Sequence, residues 1–321
     1  MALHGPELMS RAEEMGCDVF YEASVAGGIP IIRTLIEGFS SDRITKIMGI
    51  VNGTTNYILT KMSQEGSEYE DVLKEAQQLG YAEADPSSDV EGLDAARKMA
   101  ILATLGFRTN VALSDVAVEG ITKVTKADIA YGKRLGYEMK LLGIAERTGN
   151  EISVSVQPTM VKQSHPLASV NGVFNAVYVY GEAVGETMFY GPGAGEMPTA
   201  TSIVADLVAV VKNMRLGVNG RTVNVAYNEK KLKSEDQIFS KFYLLLHVAD
   251  KAGVLAQITQ LFAEYEVSLE SVMQQPNHDI DQAEIIIITH AASQAAMKRL
   301  LASLDKLAVV HQIKSVYRVE G

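Results

Sequence analysis

The chain is 321 residues long, 47% hydrophobic and 21% charged, with a formal charge of −10 and a pI near 5.2. That length admits two or three domains of ordinary globular composition, and the acidic balance argues against nucleic acid, which rewards a basic face. No apolar run approaches the ~18 residues of a membrane span, EIIIITH at 284–290 being strand-sized, and the N-terminus carries no signal-peptide pattern.

In chain order, PELMSRAEEM (6–15) predicts a short helix and CDVFYEAS (17–24) a buried strand. Cys17 is the single cysteine, which excludes an internal disulfide and fits a reducing cytoplasm; beside Val19 and Phe20 it is expected in the core. VAGGIP (25–30) is a glycine turn leading to an apolar-periodic helix at 30–39, and ITKIMGIV (44–51) alternates as a strand. NGTTN (52–56) supplies a turn and hydroxyl caps for a helix to Met62. Ser67 and Glu70 have capping-box spacing and open a helix over 67–79, with Gly80 as its C′ residue. Asp89 reads as the N-cap of a helix to Leu105, closed by Gly106.

A helix at 127–135 follows, then strands near 138–146, 151–158, 174–181 and 185–190. GPGAG (191–195) leads into an amphipathic helix from Pro198 to Met214. The polar, aperiodic stretch from 215 to 240 reads as a linker. Beyond it come a strand at 242–248, a DKAG turn, a helix at 253–265, a strand at 267–274, the polar loop PNHDIDQ (276–282), a strand at 282–289, a helix at 293–304 and a strand at 308–319. This βαββαβ order gives a four-stranded antiparallel sheet with two helices on one face.

Most of the chemistry is concentrated in AQQLGYAEADPSSDVEGLDAARK (76–98), where Glu83, Asp85, Asp89 and Asp94 gather around Lys98. Asp94 and Lys98 are an i,i+4 pair, which on an exposed helix face contributes only about 0.2–0.5 kcal/mol. The alternative to such decoration is a site in which Lys98 moves a proton, Asp94 orients its ammonium, and Glu83 and Asp89 accept hydrogen bonds from a substrate amino group. Asp85-Pro86 would make a rigid turn aiming Glu83 inward. Glu22 before VAGGI is either part of an ordinary turn into a helix or one ligand of an oxygen cage for a hard monovalent cation. GPGAG could approach a phosphate at a helix N-terminus but lacks the residues of a P-loop. Asn52, Thr54 and Thr55 read first as turn and cap residues and second as cleft-lining ones; His165, followed by Pro166, reads as a loop histidine.

The pattern Ala76-x3-Gly80-Tyr81-Ala82-x2-Asp85-Pro86-x2-Asp89-Val90-x-Gly92-x-Asp94-x3-Lys98 resembles the signature of homoserine dehydrogenases. EASVAGGIPIIR (22–33), VNGTTNYIL (51–59) and GPGAGEMPTA (191–200) are similar to segments of the same family, and the C-terminal unit resembles an ACT domain. The resemblance implies an α+β, α/β chain: a catalytic domain with a mixed, helix-covered sheet and a ferredoxin-like ACT domain. It implies reversible, NAD(P)-dependent reduction of aspartate 4-semialdehyde to homoserine, with Lys98 as general acid or base and Glu83, Asp94 and Asp89 around the substrate, Asp89 in a capping or supporting role.

By the same resemblance Gly80 and Gly195 lie at the cofactor, and Glu22, Val25, Gly27 and Ile29 hold a sodium- or potassium-type ion. Asp250 and Gly253 mark an effector site, with threonine the first candidate; a βα turn with a helix cap is the other reading of those residues. A homodimer or tetramer is implied, with no nucleic acid or membrane partner. The domains expected are 1–25 as the tail of a dinucleotide-binding domain, 26–216 as the catalytic and dimerisation domain (helix 198–214 returning to the nucleotide side), 217–240 as linker and 241–321 as the ACT domain. The family's G-x-G-x-x-G strand and helix have no counterpart here, so these residues are expected to be inactive alone. A contrasting reading is a non-catalytic module that binds an amino acid through its ACT unit.

Overall fold

The computed structural model describes residues 1–220, 228–277 and 282–321. In chain order it contains helix α1 (Gly5–Met15), helix α2 (Ile31–Arg33), strand β1 (Ile44–Ile50), and helices α3 (Gly53–Glu65), α4 (Tyr69–Gln78), α5 (Ser87–Val90) and α6 (Leu93–Phe107). Strand β2 (Val116–Val118), helix α7 (Lys126–Arg134), strands β3 (Tyr137–Thr148), β4 (Glu151–Lys162), β5 (Phe174–Gly181) and β6 (Gly185–Pro192), helix α8 (Glu196–Leu216) and strand β7 (Lys231–Leu232) follow. The remainder is β8 (Phe239–Val248), α9 (Val254–Glu264), β9 (Leu269–Asn277), β10 (Gln282–Thr289), β11 (Ala292–Ser293), α10 (Gln294–Leu304) and β12 (Val310–Glu320).

The chain divides into two compact units. The first comprises Met1–Lys123, Leu141–Gln157 and Ser169–Leu232. Its strands run in the order β6-β5-β1-β3-β4; β5 is antiparallel to β6 and β1, and β1 is antiparallel to β3. The short strand β2 lies parallel to β4, a mixed arrangement. Helix α6 packs on this sheet through Ala95, Ala96, Met99, Leu102, Ala103 and Phe107, all buried at helical spacing. The approach is close: a Cβ on Gly143 would fall 2.3 Å from Met99 Cγ, and one on Gly106 would fall 2.6 Å from Ile47 Cδ1. Full burial of Met99, Leu102 and Phe107 stabilises this contact by roughly 1.5–3 kcal/mol each. Asp94 and Lys98 are left part-exposed beside the buried row.

The second unit comprises Val124–Lys140, Pro158–Ala168 and Lys233–Gly321. Its strands run β12-β8-β10-β9, each pair antiparallel, as the βαββαβ order predicts. Leu244, Leu246, Ile285 and Ile287 share a core with Ile258 and Phe262 of α9 and Leu300 of α10. Alternation along the strands sends Tyr243, His247 and Glu284 to the opposite face. There α7 reaches them: Tyr131 donates to Glu284, and Tyr317 of β12 donates to Asp128 of α7 over 3.2 Å.

Several local expectations change. Residues 17–21 form no strand and Glu22–Ser24 is a 3-10 turn, because this segment bonds to α8 and its C-terminal loop rather than to a neighbouring strand. Asp18 accepts from Asn213 Nδ2 (3.0 Å) and the Gly220 amide (2.7 Å), and the Glu22 amide donates to Asp206 (2.9 Å). Cys17 is exposed rather than in the core. The helix expected at 30–39 widens into a π-helical turn at Thr34–Gly38, where the Phe39 amide bonds to Thr34 O. The capping box at Ser67 does not form; α4 begins after Glu68 with no side-chain cap. Helix α6 runs through Gly106 to Phe107 and starts at Gly92, whose φ of +83° suits glycine, so Asp89 is not its N-cap.

Helix α8 is amphipathic, as expected. Its polar side faces the unit, Ser202 Oγ donating to Gly27 O (2.6 Å) and Asp206 accepting from Arg33 Nη2 (3.1 Å). Ile203, Val204, Leu207, Val208 and Val211 are exposed. Of the expected linker, residues 221–227 lie outside the described residues, as do 278–281 of the loop expected at 276–282.

Candidate active site

The site is built where the end of β1 meets the starts of α3 and α6. Asn52 caps α3 with its carboxamide oxygen, which accepts from the Thr55 amide (2.9 Å) and Thr55 Oγ1 (2.8 Å). The expected hydroxyl cap is therefore an amide cap. The Asn52 amide nitrogen donates to Asp89 Oδ1 (2.7 Å) and Asp94 Oδ2 (2.9 Å). Lys98 Nζ donates to the same Asp94 oxygen (2.6 Å) and to the carbonyl of Val51 (2.9 Å). Asp89, Asp94 and Lys98 are thus brought together, and the i,i+4 pair is part of a network anchored on the backbone rather than a solvated decoration.

Glu83 and Gly80 sit on the turn before α5. The Tyr81 and Ala82 amides both bond to Ala76 O, and Thr54 Oγ1 donates to Tyr81 O (2.6 Å), tying this turn to the start of α3. Asp85 accepts from the Ser87 amide and hydroxyl, which hold its carboxyl below the usual range. The turn leaves the Glu83 side chain exposed rather than aimed inward. Gly80 has φ +75° and open space around it.

The two glycine segments meet each other. The Gly28 amide bonds to Pro192 O (3.1 Å), and a Cβ on Gly27 would lie 2.7 Å from Gly193 O. Gly195 precedes α8 with φ +120° and no side-chain cap, leaving the first amides of a 21-residue helix free of one. Glu22 is buried, its two carboxylate oxygens accepting from the Ile32 (2.7 Å) and Arg33 (2.9 Å) amides. Burial pushes its carboxyl above the usual range, and these two amides oppose the shift. Among the described residues no three His, Cys, Asp or Glu side chains gather as a metal site. A cavity of about 350 Å³ lies elsewhere in the first unit, beside Met9, Tyr21, Ile101, Thr104 and Val111; none of the acid–lysine residues lines it.

In the second unit Gly253 precedes α9 with φ +87°, and Asp250 is exposed beside it. His165 lies in a loop, its Nδ1 accepting from the Leu167 amide (3.2 Å).

The family model described as homoserine dehydrogenase matches residues 30–208, and that of the ACT domain matches 242–309. A homoserine dehydrogenase of Bacillus subtilis is 62% identical over 323 residues, covering 100% of this chain and 74% of that protein. This chain belongs to the homoserine dehydrogenase family. Members of that family are oxidoreductases, and this one carries an ACT domain. The crystal structure of a homoserine dehydrogenase from Thiobacillus denitrificans aligns with TM-score 0.93 at 39% identity, over 99% of this chain and 73% of that one. A hyperthermophilic archaeal homoserine dehydrogenase in complex with NADPH aligns with TM-score 0.58 at 32% identity, over 66% of this chain and 61% of that one. The family's cofactor is NAD(P). Among the described residues no helix is long and apolar enough to cross a membrane.

The sequence signature names Asp89, Asp94 and Lys98 but leaves Asn52 outside its span. Asn52 reads first as a turn and cap residue and second as lining the cleft; the structure gives it both places, beside the Val51 carbonyl that Lys98 binds.

Proposed function

We propose that the protein reversibly reduces L-aspartate 4-semialdehyde to L-homoserine in the cytoplasm with NAD(P)H, and that Lys98 moves the proton. The observation that carries this is the hold on Lys98. An ammonium group has three N–H donors, and Asp94 and Val51 O occupy two of them. The third is available to a carbonyl oxygen, where a cation stabilises the developing alkoxide and then gives up the proton. In the reverse direction the neutral amine accepts the hydroxyl proton. Asp94 Oδ1, Asp89 Oδ2 and the Glu83 carboxylate take no hydrogen bond from the described residues, so they suit a substrate ammonium.

When bound, the nicotinamide supplies the hydride. Gly80, with open space beside it, and Gly195, with the free amides of α8, are the residues that would hold the cofactor. A sodium- or potassium-type ion is read onto Glu22 and the carbonyls of Val25, Gly27 and Ile29. The donor set fits a hard cation: it is all oxygen and includes a buried carboxylate. Gly27 O already accepts from Ser202 and Ile29 O from the Ile31 amide, each keeping a second lone pair. In the same turn Ser24 Oγ is buried without a hydrogen-bond partner. The ion's role there is structural.

Residues 26–216 are read as the catalytic and dimerisation domain and 241–321 as a regulatory domain. Asp250 and Gly253 receive an amino-acid effector, threonine first, within a homodimer or tetramer. The exposed edge strand β6, with Tyr190 stacked on Phe174, supports self-association. The test is spectroscopic, on the protein as its cell makes it. Aspartate 4-semialdehyde should consume NADPH or NADH absorbance and homoserine should generate it from the oxidised cofactor; no change in either direction would overturn the reading.

A further inference from the structure

We propose that Asn52 is a positioning residue for proton transfer: its amide holds Asp94, and through Asp94 the Lys98 ammonium, in the working geometry. This rests on the reading of Lys98 as proton donor. Asn52 is buried, 6% exposed, and every hydrogen-bonding position of its side chain is assigned. The oxygen must be the atom that faces Thr55, because the Thr55 amide can only donate. That fixes the nitrogen toward the carboxylates, and its two N–H groups go one each to Asp89 and Asp94. The amide therefore separates two carboxylates that would otherwise repel, and it shares Asp94 Oδ2 with Lys98.

A helix cap alone needs none of this. Serine caps helices as well as asparagine does, yet serine cannot reach both carboxylates with two donors. The charged groups around the amide are Asp89 on α5 and Asp94 and Lys98 on α6; Arg97, also on α6, is engaged with Ser88 Oγ at 3.0 Å. Hydrogen bonds donated to a carboxylate favour its ionised form, and a like charge nearby disfavours it. Losing the amide removes a donor from each carboxylate and leaves the two to repel, which loosens Lys98.

The experiment is kcat and KM for aspartate 4-semialdehyde reduction in wild type, Asn52→Ser, Asn52→Asp and Lys98→Ala, with Tm recorded for each. Asn52→Ser should keep the cap and a Tm near wild type. Its kcat should fall roughly 10- to 100-fold, in line with small misplacements of catalytic groups, while KM for the cofactor stays within about twofold of wild type. Asn52→Asp keeps the shape but replaces both donors with an acceptor facing two carboxylates, so its kcat should fall further. Wild-type kcat in Asn52→Ser, or a lowered Tm with cofactor KM and kcat impaired together, would overturn the inference while loss of activity in Lys98→Ala left the site reading standing. Undiminished turnover in Lys98→Ala would instead overturn the site reading, and this inference with it.

Discussion

Lys98 and Asp94 meet across one turn of α6, Nζ 2.6 Å from Oδ2, with their side chains 21% and 29% exposed. At that partial burial the ion pair alone is a modest contributor to stability. Its value is directional, because the same ammonium is also fixed on Val51 O.

Asp94→Asn should therefore affect catalysis far more than folding. The variant keeps the side chain's shape, removes the charge that orients Lys98, and takes away a carboxylate suited to the substrate ammonium. A loss in kcat/KM of roughly 100-fold or more is expected, the usual scale for a displaced proton-transfer group, with little change in Tm. Steady-state kinetics within twofold of wild type would contradict it.

The glycine turn before α8 should be intolerant at one position for steric reasons. A Cβ on Gly193 would fall 2.1 Å from the Asn175 amide, which is buried, whereas a Cβ on Gly195 would meet nothing closer than Pro198 at 3.4 Å. Gly193→Ala should cost about 1–3 kcal/mol through overpacking, measured by urea unfolding. A Gly193→Ala variant as stable as wild type would show that Gly193 does not pack on Asn175 as described.

Lys140 carries a pH prediction. Its side chain is fully buried, and burial holds its pKa down at about 8, against an opposing pull from Glu138. Between about 8 and the ordinary lysine value near 10.5 the unfolded chain binds a proton that the folded chain does not. Folding stability should gain up to roughly 3 kcal/mol from this group as pH rises through that window, and lose it as pH falls through the folded value. Lys140→Met should abolish the gain and be the more stable protein at pH 7, as read by urea unfolding across the window. A wild-type slope in the variant would contradict it.

The effector reading has a calorimetric test. Gly253 adopts a φ of +87° with nothing within 4 Å of a built Cβ, so Gly253→Ala adds backbone strain of about 1 kcal/mol without a clash. Threonine should release heat on binding wild type and bind the variant more weakly. No heat with threonine, isoleucine or methionine would remove the effector site.

Much of this was legible in the sequence, because the signals are local. The βαββαβ order of the second unit follows from alternation and turn residues, and the placement of Asp89, Asp94 and Lys98 together follows from one motif. What was not legible depends on distant partners. Residues 17–24 have the composition of a strand, yet Asp18 and Glu22 are satisfied by Asn213, Gly220 and Asp206, nearly two hundred residues on. Helix α8 is legibly amphipathic, but which side meets the unit is not; the bonds of Ser202 and Asp206 show that its polar side does. Asn52 reads first as a turn residue and only second as lining a cleft, because its two carboxylate partners lie 37 and 42 positions away.

The most direct measurement of the central claim is turnover of aspartate 4-semialdehyde by Lys98→Met, followed at the nicotinamide band beside wild type. If Lys98 is the proton donor, kcat should fall by roughly 10²- to 10⁴-fold, the range for losing a positioned general acid, while cofactor binding is retained. A Lys98→Met protein that reduces the aldehyde at the wild-type rate would contradict the account.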